Sequence, residues 1–492
     1  MTSDVADPTA SDLGHPQRWW ILVVLCLALT VIVLDNTILS VALPRLAHDL
    51  DASESTLQWV TTAYSLVLAG LLLPLAGIGD RYGRKRLLLI GLVVFGLSSI
   101  AAAWAATSGQ LVAARALMGV GGACSMPATL AILSNVFPPA ERGRAIALWS
   151  GVSGLAGAAG PVVGGLLLNH FWWGSVFLVN VPVVLVTVVG VCVLVPPSKD
   201  PAARPIDVGG SALWTGALVL VLYGIIEGPV HGWTSPIVLG TIAAGVALVA
   251  TFAAWERRAA DPLLPPAVVA QPRMQAGMLI IPTTFFAVFG VQFVLTQWLQ
   301  GVRGLDPLSA GLCFIPQSLA IVAASAWSPH LAERRGERST VSLGFVLLAS
   351  GLVGIAAFVP GGHVAAIVVV SVAFGAGIGF TTPIGVELQM GSVPPERAGI
   401  AAGVNETIVE AGGALGVAVL GSVLAIGVHG SVGLGDLTGS AGAAARDDFA
   451  AAVPLPLLVA AGVVVALAAV VRWRLAPTDR SERATVDAAA GD

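Results

Sequence analysis

Charge is scarce in this chain. Asp, Glu, Lys and Arg together make up 11% of 492 residues, against roughly 25% in soluble domains, which excludes a water-soluble globular or nucleic-acid-binding protein. Lysine occurs only at Lys85 and Lys199, and neither stands in a Gly-x-x-x-x-Gly-Lys-Ser/Thr loop, so the chain has no P-loop for ATP. Cys26, Cys124, Cys192 and Cys313 show no metal-ligand or redox spacing and read as buried free thiols. The histidines fall in loops or at the ends of apolar runs. No metal motif, nucleophile-base pair or catalytic domain suggests an enzyme. The first 18 residues carry Asp4, Asp7 and Asp12 and no short apolar core before a cleavage site, so the first apolar stretch is expected to stay as an anchor.

What is abundant is apolar length. The chain is 56% hydrophobic with a mean hydropathy of +0.88. Stretches of about 20 residues, enough to span a bilayer, recur fourteen times between positions 19 and 471. This predicts an all-α membrane protein with fourteen transmembrane helices and both termini on one side. With the N-terminus inside, 20 of the 24 basic residues fall on the inner side; Arg45, Arg303 and Arg446 fall outside and Arg115 lies within a span. Short cytoplasmic loops carry such a positive excess, so both termini are expected in the cytoplasm. The bias to arginine over lysine suggests a bacterial source, hence the cytoplasmic membrane.

An internal repeat organises the helices. The loop Gly77-Ile-Gly-Asp-Arg-Tyr-Gly-Arg-Lys-Arg86 shares an acid-Arg-x-Gly core with His330-Leu-Ala-Glu-Arg-Arg-Gly-Glu-Arg338, and Val136-Phe-Pro-Pro-Ala-Glu-Arg recurs as Ser392-Val-Pro-Pro-Glu-Arg. The offsets, 253 and 256 residues, each equal eight predicted helices. That spacing gives a six-helix half at 19–196, two additional helices at 209–258 and a second half at 276–471. Tails at 1–18 and 472–492 flank them. Paired halves with a site at their midplane interface are a transporter plan that works by rocking one half on the other.

On these motifs the chain resembles the major facilitator superfamily, in its fourteen-helix drug:proton antiporter branch with a 6+2+6 arrangement. Leu34 to Pro44 is similar to that branch's first-helix motif, Gly77 to Arg86 to the superfamily's loop motif, and Leu111 to Gly119 to its fourth-helix arginine motif. Gly157 to Gly165 resembles the antiporter motif of the fifth helix, with Ala156 where many members have a further glycine. Trp172 to Pro182 resembles the quaternary-ammonium and dye exporters.

Asp35, inside the first apolar stretch, is the leading functional candidate, because an ionised acid in a bilayer costs roughly 2.5–3.5 kcal/mol or more and is kept for a bundle interior or wet cavity. Helical rise puts Arg115 within ~5 Å of its depth, close enough for a direct or water-bridged pair. Arg115 favours the ionised form and desolvation opposes it; a static structural ion pair is the alternative. Glu406 and Glu410 are four residues apart and share a helix face, with Glu410 near the midplane. Such a face suits an organic cation whose binding displaces protons, with a bond to a neighbouring helix as the alternative. Some dye exporters carry another acid in the tenth helix, yet none stands between Leu312 and Leu331. Glu227 and Glu387 read as rim residues. Phe289 is a candidate aromatic contact for a flat substrate, against simple packing. The thirteen tryptophans mostly sit at helix ends, Trp59 among them, as an interfacial belt expects. The resemblance implies that Asp80, Arg81, Gly83 and Arg84 form a conformational latch between halves, rather than positive anchoring alone. Gly160, Pro161 and Gly164 are expected to thin and kink the fifth helix as a seal or hinge.

The expected activity is proton-coupled efflux of hydrophobic, cationic drugs or dyes by alternating access. It needs no cofactor, draws on the proton gradient, and has lipid, protons and a lipophilic small molecule as partners. No nucleic acid is involved, and a monomer is expected. Dedicated export of an endogenous antibiotic or metabolite is the alternative.

Overall fold

In lipid every backbone polar group must be satisfied within the segment or with a neighbour, and long apolar runs meet that demand as helices. The computed structural model describes residues 15–199, 207–259, 262, 266–393, 398–428 and 442–475, and among these the architecture is entirely helical. The first group is α1 (Arg18–Asp49), α2 (Glu54–Tyr82), α3 (Arg84–Ala103), α4 (Ser108–Val136), α5 (Pro139–His170), the short α6 (Ser175–Leu178) and α7 (Asn180–Leu194). Next come α8 (Val208–His231), α9 (Pro236–Glu256) and the short α10 (Pro266–Val269). The last group is α11 (Pro272–Gln297) with a π-helical turn at Trp298–Val302, α12 (Pro307–Leu312), α13 (Ile315–Arg335), α14 (Glu337–Phe358), α15 (Val364–Met390), α16 (Ala398–Gly427), α17 (Gly442–Ala452) and α18 (Pro454–Arg474).

Twelve helices among the described residues are long and apolar enough to cross a membrane, and thirteen if α2 counts as one span. The fourteen expected spans are therefore matched only in part. The bend in α2 measures 53° and falls at Pro74, where proline removes an intrahelical hydrogen bond. α5, 32 residues long, covers the residues of the expected fifth span and is not among the twelve.

The acid-Arg-x-Gly repeat has a structural counterpart. Gly83 ends α2 and starts α3 at φ +121°, and Gly336 ends α13 and starts α14 at φ +84°. Only glycine takes this backbone without strain, so both sharp turns depend on it. These turns lie at the end of the bundle that carries Arg81, Arg84, Arg86, Arg334, Arg335 and Arg338, hereafter the arginine-rich end. The opposite, arginine-poor end carries the α1–α2 and α11–α12 connections.

α8 packs on α9 on one side and against both α2 and α16 on the other. Leu66 and Ala69 of α2, Leu218, Leu222 and Ile226 of α8, and Ala411, Ala414 and Ala418 of α16 form one buried cluster. Thr215 donates to the Gly70 carbonyl (3.0 Å) and Ser422 to that of Ile225 (2.8 Å). Glu227, near the end of α8, accepts from the Trp59 indole of α2 (3.0 Å) and lies 3.4 Å from His231. The cysteines also differ from expectation. Only Cys124 is buried, while Cys192 is exposed on α7, because the outer face of a membrane helix meets lipid rather than protein.

Candidate functional site

Four helices converge on Asp35. The carboxylate and Arg115 are both fully buried, and Arg115 Nη1 donates directly to Asp35 Oδ2. Asn180 Nδ2, at the start of α7, donates to Asp35 Oδ1 (2.8 Å) and reaches Ser99 Oγ at 3.5 Å. Arg115 Nε donates to the Val60 carbonyl (3.1 Å), and its guanidinium lies 4.6 Å from the centre of the Tyr64 ring. Tyr64 in turn donates to the Ile32 carbonyl (3.3 Å). A buried pair is tolerable when further hydrogen bonds satisfy the ions; this shell covers both Asp35 oxygens and Arg115 Nε, while Arg115 Nη2 has no protein partner among the described residues. The depth argument placed Asp35 and Arg115 together; it did not reach Asn180, although that residue stands inside the Trp172–Pro182 motif. Tyr64 and Ser65 carried no sequence signal, since their facing depends on how α2 is rotated.

The opposite wall is α16. Glu410 is buried, with Ser65 and Tyr64 of α2 and Arg115 of α4 in its neighbourhood. Its Oε2 has no protein partner among the described residues. Glu406, one turn away, accepts from Asn405 at 3.3 Å. The structure therefore gathers Asp35, Arg115 and Glu410 around Tyr64, with Glu406 one turn towards the arginine-rich end. Beside Ser65 a small cavity of about 20 Å³, lined by Asn36, Ser40, Thr62, Phe289 and Gln292, has room for about one water. Phe289 packs on Phe285 (5.9 Å between centroids) and over Gly413, so it faces this seam.

The arginine-poor end is bolted shut by groups from both sides of the seam. Three glutamines of α11 and its π turn reach across: Gln292 to Ser40 Oγ (3.1 Å), Gln297 to Glu54 Oε1 (3.2 Å) and Gln300 to the Val41 carbonyl (2.8 Å). A π turn shifts the register of the residues after it and often marks a functional position. Asn169 at the end of α5 donates to Asp306 Oδ1 (2.8 Å). Hydrogen bonds from Ser309 and then Asn169 hold the Asp306 carboxyl down at about 2. Below this bridge α5 and α12 touch backbone to backbone: any side chain at Gly165 would meet Leu308, and any at Gly311 would meet the Pro161 carbonyl. Gly160 and Gly164 pack against Thr37 and Ile38 of α1. The expected seal residues thus sit at a helix junction.

The charged turn lies elsewhere. Asp80 pairs with Arg84 (2.7 Å), Lys85 donates to the Cys192 carbonyl (2.9 Å), and the Arg84 amide donates to Ser198 O (3.0 Å). Arg81 is exposed beside Tyr82. These bonds join the turn to the end of α7, and no bond from it to the α11–α18 group occurs among the described residues.

A buried charged centre between helix groups, bolted at one end, is the anatomy of a membrane carrier, and the chain belongs to the Major Facilitator Superfamily, whose sequence profile matches residues 25–417. Members bind small-molecule substrates within the membrane, which makes this chain a multi-pass transporter rather than an enzyme. It is 36% identical to the multidrug efflux pump LfrA of Mycolicibacterium smegmatis, covering 86% of this chain and 84% of that protein. It is 33% identical to the tetracenomycin C resistance and export protein of Streptomyces glaucescens, over 86% and 79%, and 32% to the methyl viologen resistance protein SmvA of Salmonella typhimurium, over 85% of each. Among solved structures, a bacterial homologue of the human lysosomal transporter Spinster, inward-facing and occupied, superposes with a TM-score of 0.68 at 16% identity, covering 94% of this chain and 97% of that one.

Proposed function

We propose that the protein is a proton-coupled exporter of lipophilic organic cations in the bacterial cytoplasmic membrane. The observation that carries this reading is two buried carboxylates in the neighbourhood of Tyr64: Asp35, paired with Arg115, and Glu410 of α16. A proton and an organic cation compete for the same negative charge, and such competition couples their movements. Protons arriving from outside load the carboxylates. A cytoplasmic cation then displaces them at Glu410 and Glu406 with Phe289 against its flat face, and the halves rock. The energy comes from the proton gradient, with no cofactor. Relatives named for multidrug efflux and for methyl viologen resistance support the substrate class.

On this reading α5 and α2 complete a fourteen-helix, 6+2+6 chain. The six-helix halves are 19–196 and 276–471, the additional pair is 209–258, the tails 1–18 and 472–492 lie in the cytoplasm, and the functional unit is a monomer. The arginine-rich end is then cytoplasmic, and the glutamine bolts close the outer side. Asp80, Arg81, Gly83 and Arg84 would latch the cytoplasmic side in the opposite state. A second reading, export of one endogenous antibiotic, is favoured by the relatives named for tetracenomycin C and puromycin. Everted vesicles test the first reading. Adding ethidium should dissipate a preformed pH gradient in wild type and leave it intact in Glu410→Gln; gradients that never respond to any lipophilic cation would refute it.

A further inference from the structure

Outside the bolts, at the arginine-poor end, the surface opens into a cavity of about 490 Å³, within the range of small-molecule sites. Its walls come from both sides of the seam. α1 contributes Arg45, His48 and Asp49, the α5–α6 connection contributes Trp172 and Trp173, and the π turn contributes Gln300. We infer that this vestibule is a binding site for a flat aromatic anion, distinct from the central carboxylates.

The chemistry of the lining selects that class. His48 Nδ1 and Asp49 Oδ1 are hydrogen-bonded to one another (2.8 Å), which engages that carboxylate within α1 and leaves the Arg45 guanidinium as the cation that can meet an incoming anion. Its Nη1 is anchored on the Leu168 carbonyl, fixing the group in place while the rest of its planar fork can take a sulfonate or carboxylate. Such charge-assisted contacts are the stronger hydrogen bonds. The indoles supply the apolar surface. Trp173 is buried and set edge-on to Phe177 (6.3 Å), while Trp172, 47% exposed, is braced by Trp104 (6.3 Å) and offers a pre-positioned face. The central site holds buried acids, whereas here a guanidinium stands beside two indoles.

Because Gln300 also bonds the Val41 carbonyl, the cavity exists only while the bolts are made. A ligand that needs both walls binds the closed arrangement better and shifts the population towards it. The occupant would therefore slow transport from outside without entering the central site. This consequence rests on the alternating-access reading above; the binding itself does not.

The test uses the full chain in nanodiscs with 1-pyrenesulfonate as probe, followed by quenching of tryptophan emission, with the neutral 1-pyrenemethanol as comparison. Saturable binding of the sulfonate is expected, about tenfold weaker for the neutral analogue and for Arg45→Gln, weakened in Trp172→Ala, and retained in Arg45→Lys. Asp35→Asn should bind the probe unchanged even though its transport is lost, which separates failure of the site from failure of the transport reading. In right-side-out vesicles the impermeant probe should slow efflux of ethidium by the wild type. Equal binding of the two pyrenes, or full binding by Arg45→Gln, would overturn the assignment. Binding seen only in zwitterionic nanodiscs and abolished by phosphatidylglycerol would give the site to a lipid phosphate and overturn it as well.

Discussion

Asp35 has a donor on each carboxylate oxygen, Arg115 on one and Asn180 on the other. Removing one partner strands the other ion in a dry interior. Arg115→Ala should therefore lower stability by about 3–5 kcal/mol, read as a fall in the melting temperature of the solubilised protein. The double change Asp35→Asn with Arg115→Gln should restore most of that stability while efflux stays absent. If the double variant transports, the pair is structural and the mechanism loses its first carboxylate. Depth along two helices brought these residues together from sequence, because rise per residue is fixed. Rotation about a helix is not fixed by composition when both faces are apolar, so Tyr64, Ser65 and Gln297 stayed hidden among residues of similar polarity. Asn180 was in plain sight in a motif, yet nothing in its neighbours disclosed an acid as its partner.

On the proposed mechanism the gating falls to the helices. α5 and α12 approach so closely that Gly165→Val must push the Leu308 backbone away. The expected result is a partly opened arginine-poor end, seen as faster labelling of Asn169→Cys by an impermeant maleimide, together with slower efflux. Unchanged labelling would mean that another contact sets the closed state. Asp306 both bridges to Asn169 and caps α12, accepting from the Leu308 (3.1 Å) and Ser309 (3.2 Å) amides. Asp306→Ala should cost about 0.5–2 kcal/mol, as lost caps do. The sign of its pH dependence follows from the lowered carboxyl. Its contribution is fully present above the ordinary aspartate value and disappears only as pH falls through about 2. Melting curves of wild type and Asp306→Asn should accordingly run parallel from pH 5 to 8, and a gap that closes within that range would contradict the bridge. Length, hydropathy and the repeat made most helices legible. α2 and α5 also read as apolar runs in the sequence, and they are the two that the count of twelve leaves out; a 53° bend at Pro74 breaks the first.

At the scale of the whole molecule, α8 fills the seam between α2 and α16 while the glutamine bolts close one end. On the proposed mechanism, rocking must break the bolts and slide both groups past α8. A short cross-linker between cysteines placed at Asn169 and Asp306 should abolish turnover yet leave cation binding from the arginine-rich end intact. Loss of both would mean that the closed state is not the one that accepts substrate. Proton-coupled cation export requires competition between proton and cation at the buried acids. Ethidium or tetraphenylphosphonium added to purified protein in weak buffer should release protons. That release should vanish or shrink in Asp35→Asn or Glu410→Gln at sites that still fold. No release from folded wild type, with binding demonstrated by fluorescence in the same sample, would contradict proton-coupled cation export.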